Sequence, residues 1–157
     1  MGINPKPLVI AAWALALLGS GPGRALDKDA RKKIDGQIHK LRHLKLPKGE
    51  RAGWKDVLAA RKPLLEALKD DAEAERYFRR KFFYDVARHH RRHAKKDELL
   101  QEIQAFLAAG ADLEGDARLR QRFQQVDMLG EVDRKAYEAE RALLLEEVAG
   151  REQNVAE

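Results

Sequence analysis

From Leu26 onward the chain repeats one pattern, apolar residues at steps of three and four with charged residues between them. Ile34, Ile38, Leu41 and Leu44 form one stripe, and Trp54, Val57, Leu58, Leu65 and Leu68 mark a second. This spacing places apolar side chains on one face of a helix, because successive residues turn by about 100°. No window sustains the period-two alternation of a half-buried strand, and no Asn-Gly or Asp-Gly hairpin turn lies between β-branched runs. Ala, Leu, Glu, Lys and Arg outnumber Val and Ile, in keeping with helix propensity. The pattern predicts an all-α chain: a small bundle of five or six amphipathic helices, forming one domain over residues 26–157.

Local signals divide these helices. The first runs from about Lys28 to Lys45 and is closed by Pro47 and Gly49. Pro63 either kinks the second or starts a new segment. Asp70-Asp71 is placed to cap a third that runs through Tyr77, Phe78, Phe82, Phe83 and Val86 to about Lys96. Asp97 is read as the cap of a fourth, with Leu99, Leu100, Ile103, Phe106 and Leu107, stopped by Gly110. A fifth carries Leu119, Phe123 and Val126 and a sixth Tyr137, Leu144 and Val148, joined through Gly130 and Asp133 as a C-terminal hairpin over 118–150.

The N-terminus has a different character. Lys6 precedes an apolar run of 11 residues, Leu8 to Leu18, and then the small residues leading to Ala25. Positive start, short apolar core and small-residue tail make residues 1–25 a signal peptide, with cleavage expected after Ala25. The expected location is therefore periplasmic or secreted. The alternative, a membrane anchor through residues 8–19, falls short of the roughly 17–25 apolar residues that span a bilayer.

Charge is unevenly distributed. Residues 76–96 hold nine basic side chains against one acidic, whereas residues 97–157 hold seven against fifteen. On a regular helical wheel Phe78, Phe82, Val86, His89 and His93 share one face, with Phe83 and His90 at its margin. Arg76, Tyr77, Arg80, Lys81, Tyr84, Arg88, Arg91, Arg92 and Lys95 spread over the other side. Such a face can bind anions, since Arg and Lys neutralise them and Tyr stacks or hydrogen-bonds. It can equally pair with the acidic C-terminal half of the same chain.

The histidines offer a metal-binding alternative. His39 and His43, and His89 and His93, stand four apart, a spacing at which two imidazoles can share a Zn²⁺ or Cu²⁺ ion. The wheel places His39 and His43 in solvent and turns His89 and His93 inward. Neighbouring cations repel a metal ion, and no adjacent carboxylate supplies the usual outer hydrogen bonds.

Little catalytic chemistry is available. The chain has no cysteine and no threonine, and its one serine, Ser20, lies in the signal-like segment. Phosphate loops, nucleophile elbows and zinc-protease motifs are absent. No cofactor is implied, although a helical chain with histidines leaves haem binding open as an alternative.

The run Val126-Asp127-Met128-Leu129-Gly130-Glu131-Val132-Asp133 followed by Tyr137 resembles the two-helix hairpin of short C-terminal SHOCT-type modules, which implies an oligomerisation or docking element. In architecture the chain is also similar to small periplasmic stress chaperones, but it lacks their Leu-Thr-x-x-Gln signature.

The sequence thus predicts a non-enzymatic, exported helical protein that engages an acidic protein or anionic envelope component through residues 76–96. A metal- or haem-handling protein is one alternative. A cytoplasmic nucleic-acid-binding protein is the other, should the N-terminus not be a signal; export makes nucleic acid an improbable partner.

Overall fold

The computed structural model describes residues 25–155, and the signal-like segment up to Arg24 lies outside them. Six helices and no strand occur among the described residues. They are α1 (Lys28–Arg42), α2 (Trp54–Leu68), α3 (Ala72–Phe82), α4 (Lys96–Ala109), α5 (Gly115–Val132) and α6 (Arg134–Val155). A π turn over Phe83–Ala87 and a single α turn, Arg88–His90, continue α3. The all-α expectation holds. No helix among the described residues is long and apolar enough to cross a membrane.

The chain divides into two compact units, the first ending at Val86 and the second starting at Ala87. In the first, α1 buries Ile34, Ile38 and Leu41, the stripe read from the sequence. Asp27 caps this helix, its carboxylate accepting from the Ala30 amide at 2.7 Å. Helix α2 buries Trp54, Val57, Leu64 and Leu68. Leu64 takes the inward position expected of Leu65, and exposed Pro63 sits within one continuous helix. Asp71 caps α3 by accepting from Ala74 N at 3.0 Å. Phe78 and Phe82 stack with centroids 6.1 Å apart, and the Trp54 ring lies 6.1 Å from Phe82. Aromatic pairs at this spacing add to the benefit of burial.

In the second unit α4 does not use Asp97 as its cap. Lys95 is the N-cap, its amide donating to Glu98, and Asp97 stands in the first turn where its charge suits the helix dipole. Gly110 ends α4 as expected, with a tertiary reason besides. Buried Gln121 of α5 donates from Nε2 to the Phe106 carbonyl at 2.7 Å, satisfying an end-of-helix oxygen. A Cβ on residue 110 would lie 2.0 Å from that Nε2, so any other residue would displace the Gln121 amide from this bond.

The α5–α6 hairpin turns on a single residue. Gly130 lies within α5, not in the turn, and a Cβ there would come 3.4 Å from the Tyr137 ring. Asp133 makes the turn, and its Oδ1 accepts from Lys135 N and Ala136 N at 3.1 Å each. The Ala136 bond is the main reason its carboxyl titrates below the usual value, with Lys96 and the Lys135 amide adding to the effect. Farther along, Arg122 donates to Glu147 at 2.5 Å and to Glu140 at 3.4 Å.

The main departure from the sequence reading is the phase of the helix after Phe82. His89 and His93 are exposed, whereas His90 is buried at 7% exposure. The π turn explains the exchange of His89 for His90. It closes i→i+5 hydrogen bonds, admitting one extra residue relative to an α turn. A wheel at 100° per residue therefore loses phase there. His93 is exposed because the helix, expected to run to about Lys96, ends at His90 and His93 falls in the turn that follows. The buried series becomes Phe78, Phe82, Phe83, Val86, Ala87 and His90.

Two outcomes test these assignments. His90→Ala should lower unfolding free energy by about 1–3 kcal/mol, whereas His89→Ala and His93→Ala should change it by no more than about 0.5 kcal/mol. Denaturant titration separates them, and a larger loss at His89 would contradict the π register.

The second outcome concerns pH. Burial alone would raise the Glu147 pKa, but Arg122 and Arg151 outweigh it and hold the carboxyl below 4.5. A carboxyl with a lowered folded-state pKa stabilises fully above its unfolded value and ceases to do so as pH falls through the folded one. Melting midpoints should therefore fall more steeply on acidification below pH 4.5 in the native chain than in Arg122→Gln. Identical profiles would count against the clamp.

Candidate functional site

The nine residues assigned to the basic face do not occupy one unit. Arg76, Tyr77, Arg80, Lys81 and Tyr84 belong to the first, and Arg88, Arg91, Arg92 and Lys95 to the second. Each group has its own electrostatic surroundings.

In the first unit the cations have carboxylate neighbours. Arg76 pairs with Glu73 at 3.1 Å, with Arg80 at 3.9 Å from the same side chain, and Lys81 pairs with Asp85 at 2.9 Å. The hydroxyl of Tyr77 donates to Asp35 of α1 at 2.9 Å, while the Arg31 guanidinium stands 5.8 Å from its ring. Burial first, and then this bond to a carboxylate, raise the tyrosine's pKa. Tyr77 therefore ties α3 to α1. Tyr84 remains exposed on the π turn.

In the second unit Arg88 meets Asp127 of α5 at 3.1 Å, and Arg91 reaches Asp127 at 3.7 Å and Glu131 at 3.4 Å. Lys96 lies 3.8 Å from Asp133. Part of the basic run is thus matched by the acidic C-terminal half. Arg92 and Lys95, exposed in the turn after His90, have no carboxylate within 4.0 Å among the described residues.

A second group of cations, not singled out in the sequence, stands at the end of α1. Beyond the His43 C-cap the chain makes a tight loop, with Leu46 N donating to Glu50 O and Ala52 N to Leu44 O. Gly49 permits the reversal with φ of 79°, a left-handed conformation favoured by glycine. The loop closes an antiparallel bridge that sets Lys45 directly opposite Arg51. Like charges in that relation repel and destabilise. Exposed Arg42 and His43 add to the group, and no carboxylate lies within 4.0 Å of Arg42, Lys45 or Arg51 among the described residues. Desolvation, followed by the fields of His39, Arg42, Arg51 and Lys45, lowers the His43 pKa. This site escapes a reading of the sequence because Lys45 and Arg51 are six residues apart and become opposed only when the loop closes.

The histidines do not assemble into a metal cage. His39 and His43 are exposed as expected, their ring centroids 4.5 Å apart, but they supply only two ligands. His89 and His93 sit in solvent. No group of three potential His, Asp or Glu ligands occurs among the described residues. No protein-family model matches the chain, nor does any curated protein or solved structure.

The loop cluster makes a spectroscopic prediction. The His43 imidazole should titrate below 6.5 by NMR and move upward when Arg42 and Arg51 are both changed to Gln. An unmoved pKa would show that the guanidinium groups do not set its field.

Proposed function

We propose that the protein is an exported, non-enzymatic binding protein whose exposed cations engage an acidic protein or anionic envelope component. The observation that carries this reading is the loop at the end of α1, where Lys45 and Arg51 face each other beside Arg42 and His43. A fold has no stability reason to oppose like charges without a carboxylate between them, and an anionic partner removes the repulsion. Arg92 and Lys95 offer further exposed cations in the second unit. The basic face of residues 76–96 contributes to binding mainly through this unneutralised pair, because Arg88 and Arg91 already face carboxylates.

Export rests on the signal-like segment before Ala25 and on the two residues after that position. Leu26 is buried and Asp27 caps α1, so the folded body includes the first residues after that position. Intact mass of the protein purified from its native source should correspond to a chain starting at Leu26. A retained N-terminus would redirect the reading to the nucleic-acid alternative.

Polyglutamate serves as a probe for the binding surface. Changing Arg42, Lys45 and Arg51 together to Gln should weaken binding of the full chain by about tenfold, a few tenths of a kcal/mol to one per exposed pair. The same change should flatten the dependence on salt. Substituting Arg88 and Arg91 should matter much less, and the opposite ranking would refute the assignment.

A further inference from the structure

A groove of about 500 Å³ runs along the seam of α5 and α6. Val126, Gly130, Tyr137 and Leu144 contribute to its lining. Its outer margins are two helical columns. On α5 they are Phe123, Asp127 and Glu131, spaced by four, and on α6 Arg134, Arg141 and Leu145, spaced by seven and four. Both columns end in apolar residues that water reaches freely, with Phe123 50% and Leu145 53% exposed. Such paired exposed apolar groups rimmed by charge mark an interaction surface.

We propose that this groove is a self-association surface on which two copies of the chain pair about a two-fold axis running along the seam. The charge arrangement selects both the partner and the axis. All the acidic rim residues lie on α5 and all the basic ones on α6. A two-fold axis parallel to the seam sets α5 of one copy over α6 of the other, so each acidic column meets a basic one. An axis across the seam would set α5 over α5 and oppose like charges.

The register agrees with this pairing. At about 1.5 Å of rise per residue, Glu131 lies about 3 Å from the turn residue Asp133, and Arg134 about 1.5 Å. Asp127 lies about 9 Å away and Arg141 about 12 Å; Phe123 and Leu145 follow at about 15 and 18 Å. The parallel pairing thus brings acid to base at two levels and apolar to apolar at the third. A closed two-fold dimer needs just such a self-complementary patch.

The basic charges on the rim are available for this, and the acidic ones stay partly exposed beside Arg88 and Arg91. Arg141 has no carboxylate within 4.0 Å among the described residues, and Arg134, 80% exposed, meets only Glu138 of its own helix. Asp127 stays half exposed despite its contacts with Arg88 and Arg91, and Glu131 is 39% exposed despite its contact with Arg91.

Sedimentation equilibrium of the full chain tests the proposal together with cross-linking, for which the absence of native cysteine is an advantage. The unsubstituted chain should dimerise with concentration, and Leu145→Asp should abolish the dimer while leaving the helical circular dichroism unchanged. Oxidising a mixture of the Asp127→Cys and Arg141→Cys variants should give mainly the mixed disulfide, identified by mass, with each variant alone giving little. A monomer at every concentration, a dimer that survives Leu145→Asp, or cross-linking of each variant chiefly to itself would each overturn it.

Discussion

The exposed chemistry of the central basic stretch depends on the π turn at Phe83–Ala87. A helix can bury one stripe, and the position of the stripe decides which charges meet water. By admitting one extra residue, the turn keeps Phe82, Phe83, Val86 and Ala87 all inside and brings His90 in after them. His89 consequently stands in solvent, and Arg92 and His93 do so in the turn that follows the helix end at His90. The boundary between the two compact units falls within the same turn, so a basic run continuous in sequence is shared between two structural neighbourhoods.

Charge in this protein is organised by pairing more than by net value. The excess of basic over acidic side chains is five across the whole chain. Arg88 and Arg91 draw on Asp127 and Glu131, and Arg122 and Arg151 draw on Glu147. Exposed ion pairs of this kind add little stability each, but they reduce the field available to a partner. The cations that remain effective are those without such neighbours. They include Lys45 and Arg51 in the loop after α1 and Arg92 and Lys95 in the turn after His90.

Much of the architecture is legible in the sequence because most helices here are straight and amphipathic. The α1 stripe, the Asp71 cap and the Gly110 stop follow from spacing and residue type alone. The failures share a physical origin in contacts that local pattern does not encode. A regular wheel turns His89 and His93 inward because nothing in the local pattern announces a π turn or a helix end at His90. The spacing of Phe123 from Leu119 and Val126 points it to the core, yet it is half exposed, while Gln121 is buried to satisfy the Phe106 carbonyl. Of the candidate site, the exposure of His39, His43, Arg92 and Lys95 is legible. The opposition of Lys45 and Arg51 is not, because a reversal at Gly49 creates it.

The π register is tested most directly by carbethoxylation of the native full chain, with modified histidines located by tandem mass spectrometry. The structure predicts rapid modification of His89 and His93 and slow modification of His90 until the protein is denatured. Rapid reaction at His90 with protection of His93 would restore a regular α-helix through this stretch and contradict the account.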